Sequence, residues 1–320
     1  MAAEAVFARL RRGCAEVTAR ARQVSIDSVA LGELAADLVT ADAPITDPVH
    51  APLPDDAETL AFVVTLDAVN FGSGWFPSLH KPGGRSGYFT IATALRKRFE
   101  ASGPYSAKAL ADMTPTACTR LFGQQDAGAD AEELMALFAR SLRDLGTWLL
   151  AGYGGSFEAA VEAAAGSAAR LVDALAEMPL YRDVARYGDL EVPFFKRAQI
   201  TVSDLAAAFD GRGYGRFDDL DELTMFADNL VPHVLRCEGV LNYEAALADR
   251  VDRGERLAPG SPEEVEIRAV ALHAVERCVA ACRSRGVETT ARRLDTLLWN
   301  RGQHPEMKAR PRHRARSPYY

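Results

Sequence analysis

Residues 223–235, LTMFADNLVPHVL, put a carboxylate, Asp228, among apolar side chains and a proline four residues further on. Leu223, Phe226, Leu230 and Val234 recur at helical spacing, so a continuous helix would hold Asp228 at the edge of a buried face. Pro232 has no N–H for the carbonyl of Asp228. The helix must therefore kink or end there, or a new helix opens at Pro232 with residues 228–231 as the junction. Either geometry leaves a carboxylate at a break beside apolar walls. Such a group can be held desolvated for catalysis, or it can cap a helix or pair with a cation.

A second stretch, FFKRAQITVSDLAAAF (194–209), repeats Phe195, Ala198, Val202, Leu205 and Phe209 at spacings that define one buried stripe. Lys196, Gln199 and Ser203 fall along one flank of that stripe, and Arg197 points roughly opposite. A lysine in a first turn opposes the helix dipole unless an anion sits there too, and helix N-termini bind phosphates readily. The alternative is a lysine that snorkels to solvent.

The segment DAVNFGSGWFPSLHKPGGRSGYF (67–89) is rich in glycine and aromatics and carries Asn70, Phe71, Trp75, Phe76, His80 and Tyr88. Rings here could stack on a base while Asn70 pairs with its polar edge, or the rings could pin an Ω-like loop from within. The tail KARPRHRARSPYY (308–320) sets Lys308, Arg310, Arg312, Arg314 and Arg316 on alternate positions, one basic face if extended. The aromatic pair Tyr319-Tyr320 argues for docking of that tail.

The elements that must position these groups are mostly helical. Helix-forming composition or 3.6-residue periodicity covers 4–22, 26–39, 86–100, 130–151, 156–176, 194–209, 244–252, 261–282 and 288–300. Ser261-Pro262-Glu263-Glu264 marks one start with an N-cap, a first-turn proline and two acids. Residues 62–71 read as a short strand or a helix, and 307–316 alternate at period 2. The fold class is mostly α with little strand, as one helical unit with a soft boundary near residues 152–155.

Bulk numbers narrow the function. At 48% hydrophobic and 25% charged, the 320-residue chain can bury a sizeable core, and its net charge of −7 gives no global attraction to nucleic acid or anionic lipid. No apolar run approaches bilayer length and the first residues lack a signal-peptide core, so a cytoplasmic protein is expected. Cys14, Cys118, Cys237, Cys278 and Cys282 read as small buried hydrophobes. GRGYG (211–215) follows a helix rather than a strand, and no H-E-x-x-H occurs, which argues against a dinucleotide or metal enzyme.

FFKRAQI, LTMFADNLVPHVL, GVLNY, EEVEIRA, the LLW helix and the ARPRHRAR…YY ending, in that order from residue 60 onward, resemble the queuosine salvage family of queuosine 5′-phosphate N-glycosylase/hydrolases. The resemblance implies a fold related to helix-hairpin-helix DNA glycosylases. It also implies hydrolysis of queuosine 5′-monophosphate to queuine and ribose 5-phosphate, with no metal or redox cofactor. Its K-R-A-Q motif maps onto residues 196–199 and its F-A-D motif onto 226–228, which makes Asp228 the expected catalytic carboxylate. Where the family usually has Tyr-Arg after that Asp, this chain has Asn229-Leu230, and His233 stands where a Gln usually follows the Pro. Substrate contacts are expected from Asp67, Asn70, Phe71, Trp75, Lys196, Arg197, Gln199, Asp221 and His233. Asp67, Asn70 and Gln199 would meet the base, Lys196 the 5′-phosphate with Arg197 or a tail arginine as substitutes, and Asp221 the cationic amine of queuine. The expected partner is a small-molecule substrate, without a stable nucleic-acid partner or a membrane. Two alternatives stay open: a noncatalytic helical module that binds RNA or a nucleotide, and a glycosylase acting on another modified nucleotide.

Overall fold

The computed structural model describes residues 5–39 and 48–320. Among these residues it is mostly α, with fifteen α-helices and six short strands. They form two compact units: residues 5–39, 183–196 and 221–316 make the first, and residues 48–182, 197–220 and 317–320 the second. The division falls inside the helix Lys196–Ala208.

The first unit is organised around the helix Pro262–Arg283, whose buried positions include the unbroken run from Glu264 to Leu272. A helix buried on all sides must be covered on all sides. Val6–Arg20, Ser28–Val39 and Ala291–Arg301 pack against it. Its start is as the sequence indicates, with Pro262 in the first turn and the Ser261 hydroxyl accepting from the Glu264 N–H. All six strands lie in this unit. Val24–Ile26 pairs antiparallel with Leu241–Tyr243, Val184–Tyr187 antiparallel with Leu190–Pro193, and Arg256–Leu257 parallel with Arg314–Ala315.

In the second unit the helix Ala129–Tyr153 is the axis, flanked by Asp56–Ala68, Ala107–Ala111, Pro115–Leu121 and Phe157–Glu162. The glycines at 152–155 end this axis inside the unit, with Gly154 in the left-handed region.

Three sequence expectations resolve differently or more sharply. The 62–71 segment belongs to the helix Asp56–Ala68; ten consecutive residues from Thr59 to Ala68 are buried, so no face alternates and period alone could not separate strand from helix. The expected helix 156–176 is two helices, Phe157–Glu162 and Ala168–Leu175, because Ala165 and Gly166 take positive φ between them. In the tail, Pro305–Ala309 is helical and the alternation begins only beyond it. From Arg312 on, His313, Ala315 and Ser317 are buried while Arg312, Arg314 and Arg316 are half-buried.

Gly146 marks the tightest approach in the second unit. A Cβ there would lie 2.5 Å from the carbonyl oxygen of Ala107 and nearer still to the backbone nitrogen of Ala111. Neither backbone atom can swing aside. Gly146→Ala is therefore expected to destabilise the protein by about 1–3 kcal/mol through overpacking. Gly152→Ala, on the same helix with open space at its Cβ, should be neutral or stabilising by up to about 1 kcal/mol. Urea unfolding of both variants checks this, and equal effects would contradict the close helix approach.

Candidate functional site

Asp228 sits at a junction where every residue of the Phe226–Asn229 stretch is tied down. The segment has no regular structure, and the helix Leu230–Cys237 follows it. The Phe226 N–H donates to Asp295 Oδ1 at 2.9 Å, and the Ala227 carbonyl accepts from Arg268 Nε at 2.9 Å. Asp228 Oδ1 accepts from the N–H groups of Leu230 and Val231 at 2.7 and 3.2 Å, and the Asn229 side chain donates to the His313 carbonyl at 3.4 Å.

Pro232 is the third residue of this helix, and the first turn has N–H groups with no partner inside the helix. Asp228 satisfies two of them and Pro232 has none to satisfy. The carboxylate and the proline thus solve one problem together, and the break precedes the proline. The carboxylate is half-buried, and its Oδ2 has no hydrogen-bond partner among the described residues. One oxygen fixes the orientation; the other is uncommitted among the described residues.

Lys196 opens its helix beside a resident anion. The Asp183 carbonyl accepts from the N–H groups of Phe194 and Phe195, and its Oδ2 accepts from the Lys196 N–H at 3.3 Å. Phe195 takes φ +46° to make the turn into the helix. Asp183 is in turn gripped by Arg268 through two contacts, Nη1–Oδ1 at 3.1 Å and Nη2–Oδ2 at 2.6 Å. Both partners are buried, and the Arg268 guanidinium lies 4.0 Å from the Phe194 ring centroid.

Composition and period did not single out Asp183 or Arg268. The available signal was EEVEIRA itself, a cluster of charges opening a helix that continues into the apolar run AVAL. Glu266 from the same run accepts at Oε2 from the N–H groups of Arg22, Gln23 and Val24, and at Oε1 from the Tyr187 hydroxyl. Burial and that hydrogen bond both push the Tyr187 phenol up, to about 12.

His233, on the helix after Asp228, is buried, and its Nε2 lies 2.8 Å from the Met307 carbonyl, so that nitrogen carries the proton. Burial holds its pKa below the usual imidazole value. It lines a surface cavity with Arg236, Cys237, Asp252, Arg310 and Pro311, a lining that does not include Asp228. Asp221 is exposed in the turn Leu220–Glu222. Lys196 and Asp228, the two charged motif positions of this unit, are thus joined through Asp183 and Arg268; Asp221 is not part of that network.

The second unit gathers Asp67, Asn70, Phe71 and Arg197. The Asn70 amide donates to Asp67 Oδ1 at 3.2 Å, and Asp67 is buried. Arg197 is 1% exposed and braces the interior: Nη1 donates to the Ala68 carbonyl at 2.6 Å, and Nη2 to the carbonyls of Leu180 and Pro318. Its guanidinium is sandwiched between Phe71 and Tyr181, 4.5 and 4.4 Å from their centroids. The Gly72 N–H donates to the Tyr320 carbonyl at 2.9 Å, and Tyr320 is buried, so the tail's aromatic end is docked.

The rings expected to stack on a base pack the interior of this unit instead. Trp75 is 2% exposed with its indole N–H on Glu133 Oε2 at 2.8 Å, and Phe71 meets Phe138 edge to face. Gln199 is wholly buried on the Lys196–Ala208 helix. Four cysteines are buried and Cys237 is half-buried. Among the described residues no three His, Cys, Asp or Glu side chains come together as a metal site needs, and no helix is long and apolar enough to cross a membrane.

Comparison with known proteins gives this geometry a family. The profile of the queuosine salvage protein family matches residues 50–320. A Sphaerobacter thermophilus protein named queuosine 5′-phosphate N-glycosylase/hydrolase is 42% identical over 272 residues, covering 83% of each chain. Proteins of the same name from Dictyostelium discoideum and Mus musculus are 33% and 31% identical, covering 82% and 83% of this chain and 78% and 83% of their own.

His313, whose carbonyl anchors Asn229, carries a testable consequence. Neither ring nitrogen has a hydrogen-bond partner among the described residues. Burial, with the positive charges of Arg312, Arg268, His233 and Arg236 around it, lowers its pKa from 6.5 to about 3. The folded protein therefore holds His313 neutral, whereas the unfolded chain takes up its proton near the usual value. The stability this supports is complete above about pH 6.5 and is lost as pH falls towards 3, at a slope of about 1.4 kcal/mol per pH unit. Urea unfolding between pH 7 and 4 is expected to show a shallower decline for His313→Gln than for the parent. Identical slopes would mean that His313 takes up its proton without loss of the fold.

Proposed function

The chain belongs to the queuosine salvage protein family, and from that membership we propose that it hydrolyses the N-glycosidic bond of queuosine 5′-monophosphate, releasing queuine for salvage into tRNA. The observation that carries the mechanism is Asp228: one carboxylate oxygen held by two backbone N–H groups, the other without a partner among the described residues. The fold relation to helix-hairpin-helix glycosylases, action in the cytoplasm, and a free nucleotide rather than a stably bound nucleic acid as partner belong to the same reading.

Breaking the bond from the anomeric carbon to the base nitrogen passes through an oxocarbenium-like sugar. Asp228 stabilises that positive charge and takes the proton of the attacking water, whose oxygen joins the anomeric carbon. The electron pair leaves with the base, which is then protonated to free queuine. A 7-deazaguanine has no N7 to protonate. Help for the leaving group must come through its other polar edges, for which Asp67, Asn70 and Gln199 are the candidates. Lys196 is a substrate contact in this reading, with Asp221 and His233 as outer ones. Phe71, Trp75 and Arg197 act on the substrate through the loop they hold.

Purified protein should release a base from queuosine 5′-monophosphate, and mass spectrometry with queuosine, guanosine monophosphate and tRNA as parallel substrates reads the choice. Release from a different nucleotide would favour another glycosylase, and salt-dependent RNA binding without turnover a binding module. Asp228→Asn keeps a side-chain oxygen for the cap but removes the charge. It should lower the rate by about 10² to 10³ with folding retained. Near-normal turnover in a folded variant would remove Asp228 from the chemistry.

A further inference from the structure

Lys196 is the expected reader of the 5′-phosphate because a cation at a helix N-terminus wants an anion. The structure already supplies one, since the Asp183 carboxylate accepts from the Lys196 N–H and carries its own counter-charge in Arg268. Lys196 is also only 4% exposed. A phosphate carries close to two negative charges at neutral pH and is read best by donors not already committed to the protein. The first unit offers one such group beside Asp228.

Arg312 is half-buried, and its guanidinium makes no hydrogen bond or ion pair among the described residues. Five donors in a planar fork are left there without a protein acceptor. Its position is fixed from both sides. The next residue, His313, is buried and receives the Asn229 amide on its carbonyl, which sets Arg312 and Asp228 on adjoining segments. Arg314 and Ala315 then pair with Arg256 and Leu257, which fixes which face of the tail Arg312 shares with Arg314.

Burial disfavours the Arg312 charge, Asp228 is the charge that opposes that effect, and Arg314 adds to it. Asp228 and Arg312 therefore feel one another, yet no ion pair within 4.0 Å joins them. They are held apart by a gap wider than a salt bridge. In a nucleoside 5′-monophosphate the phosphate lies one ribose away from the anomeric carbon. A carboxylate at the anomeric carbon thus needs its phosphate-reading cation beyond ion-pair distance, on a segment that adjoins its own, as the Asn229–His313 contact places Arg312.

We propose that Arg312 is the specificity-determining residue that receives the 5′-phosphate, one ribose away from the anomeric carbon at Asp228. The inference rests on the hydrolase reading above for the identity of the sugar phosphate. The site itself needs only the guanidinium fork and its place on the segment adjoining the carboxylate.

Two measurements test it. In turnover, Arg312→Gln should lower kcat/KM for queuosine 5′-monophosphate about ten- to hundredfold and leave the unphosphorylated nucleoside nearly unchanged, so that the ratio of the two collapses. Arg312→Lys, which keeps a point charge without the fork, should fall between. In calorimetry, ribose 5-phosphate should bind the parent protein at least ten times more tightly than Arg312→Gln, while queuine binding is the same for both. Equal losses on the monophosphate and the nucleoside, or unchanged ribose 5-phosphate binding, would overturn the proposal. Ribose 5-phosphate binding that depends on Arg312 without any base release would sustain it and refute the hydrolase reading alone.

Discussion

The contact between Arg268 and Asp183 is the constraint on which the first unit depends. Two charges taken out of water are tolerated only with excellent geometry and with the remaining hydrogen-bonding capacity satisfied. Here both conditions hold: two guanidinium–carboxylate contacts, a third donor on the Ala227 carbonyl, and an aromatic face at 4.0 Å. The carboxylate reaches in the other direction to the first N–H of the Lys196 helix. A single pair therefore fixes the start of one motif and the residue before the key carboxylate of the other. Truncating either partner would leave an uncompensated buried charge, a loss of about 3–5 kcal/mol in comparable sites. The same truncation would release two functional segments at once.

Asp228 depends on that arrangement for its backbone and on the helix after it for its side chain. An aspartate that caps with one oxygen has a second oxygen to spare. The capping role and the proposed catalytic role are then two uses of two oxygens. Proline three residues into the helix fits because a first turn has donors to lose. The segment is rigid through contacts that leave its reactive edge open.

Legibility followed locality. Asp228 stood out because a polar residue interrupts an apolar run within thirteen positions, and the Ser261 start stood out because cap, proline and acids are consecutive. Asp183 and Arg268 are 85 positions apart, and nothing local announces that one will need the other. Trp75 and Phe71 expose a different limit. A ring that packs a core and a ring that awaits a base have the same residue type and the same glycine-rich neighbours, and only burial separates them. The 62–71 helix was ambiguous for a related reason: complete burial erases periodicity. Arg312 was visible only as one of five alternating basic residues, and only the fold sets it next to His313, whose carbonyl takes the Asn229 amide beside Asp228.

Asn229 and Leu230, two of the three positions at which the sequence departs from the pattern it resembles, have definite tasks. Asn229 gives its amide to the His313 carbonyl, so the residue after the key carboxylate holds the basic tail. Leu230 packs where the helix Ala291–Arg301 ends: a Cβ on Gly302 would meet Leu230 side-chain carbons at 2.9 Å and Val234 at 3.0 Å. The space at Gly302 is what lets an apolar Leu230 start the next helix flush against that end. Where Tyr-Arg would bring a ring and a charge to this corner, Asn-Leu brings a tail anchor and a packing contact.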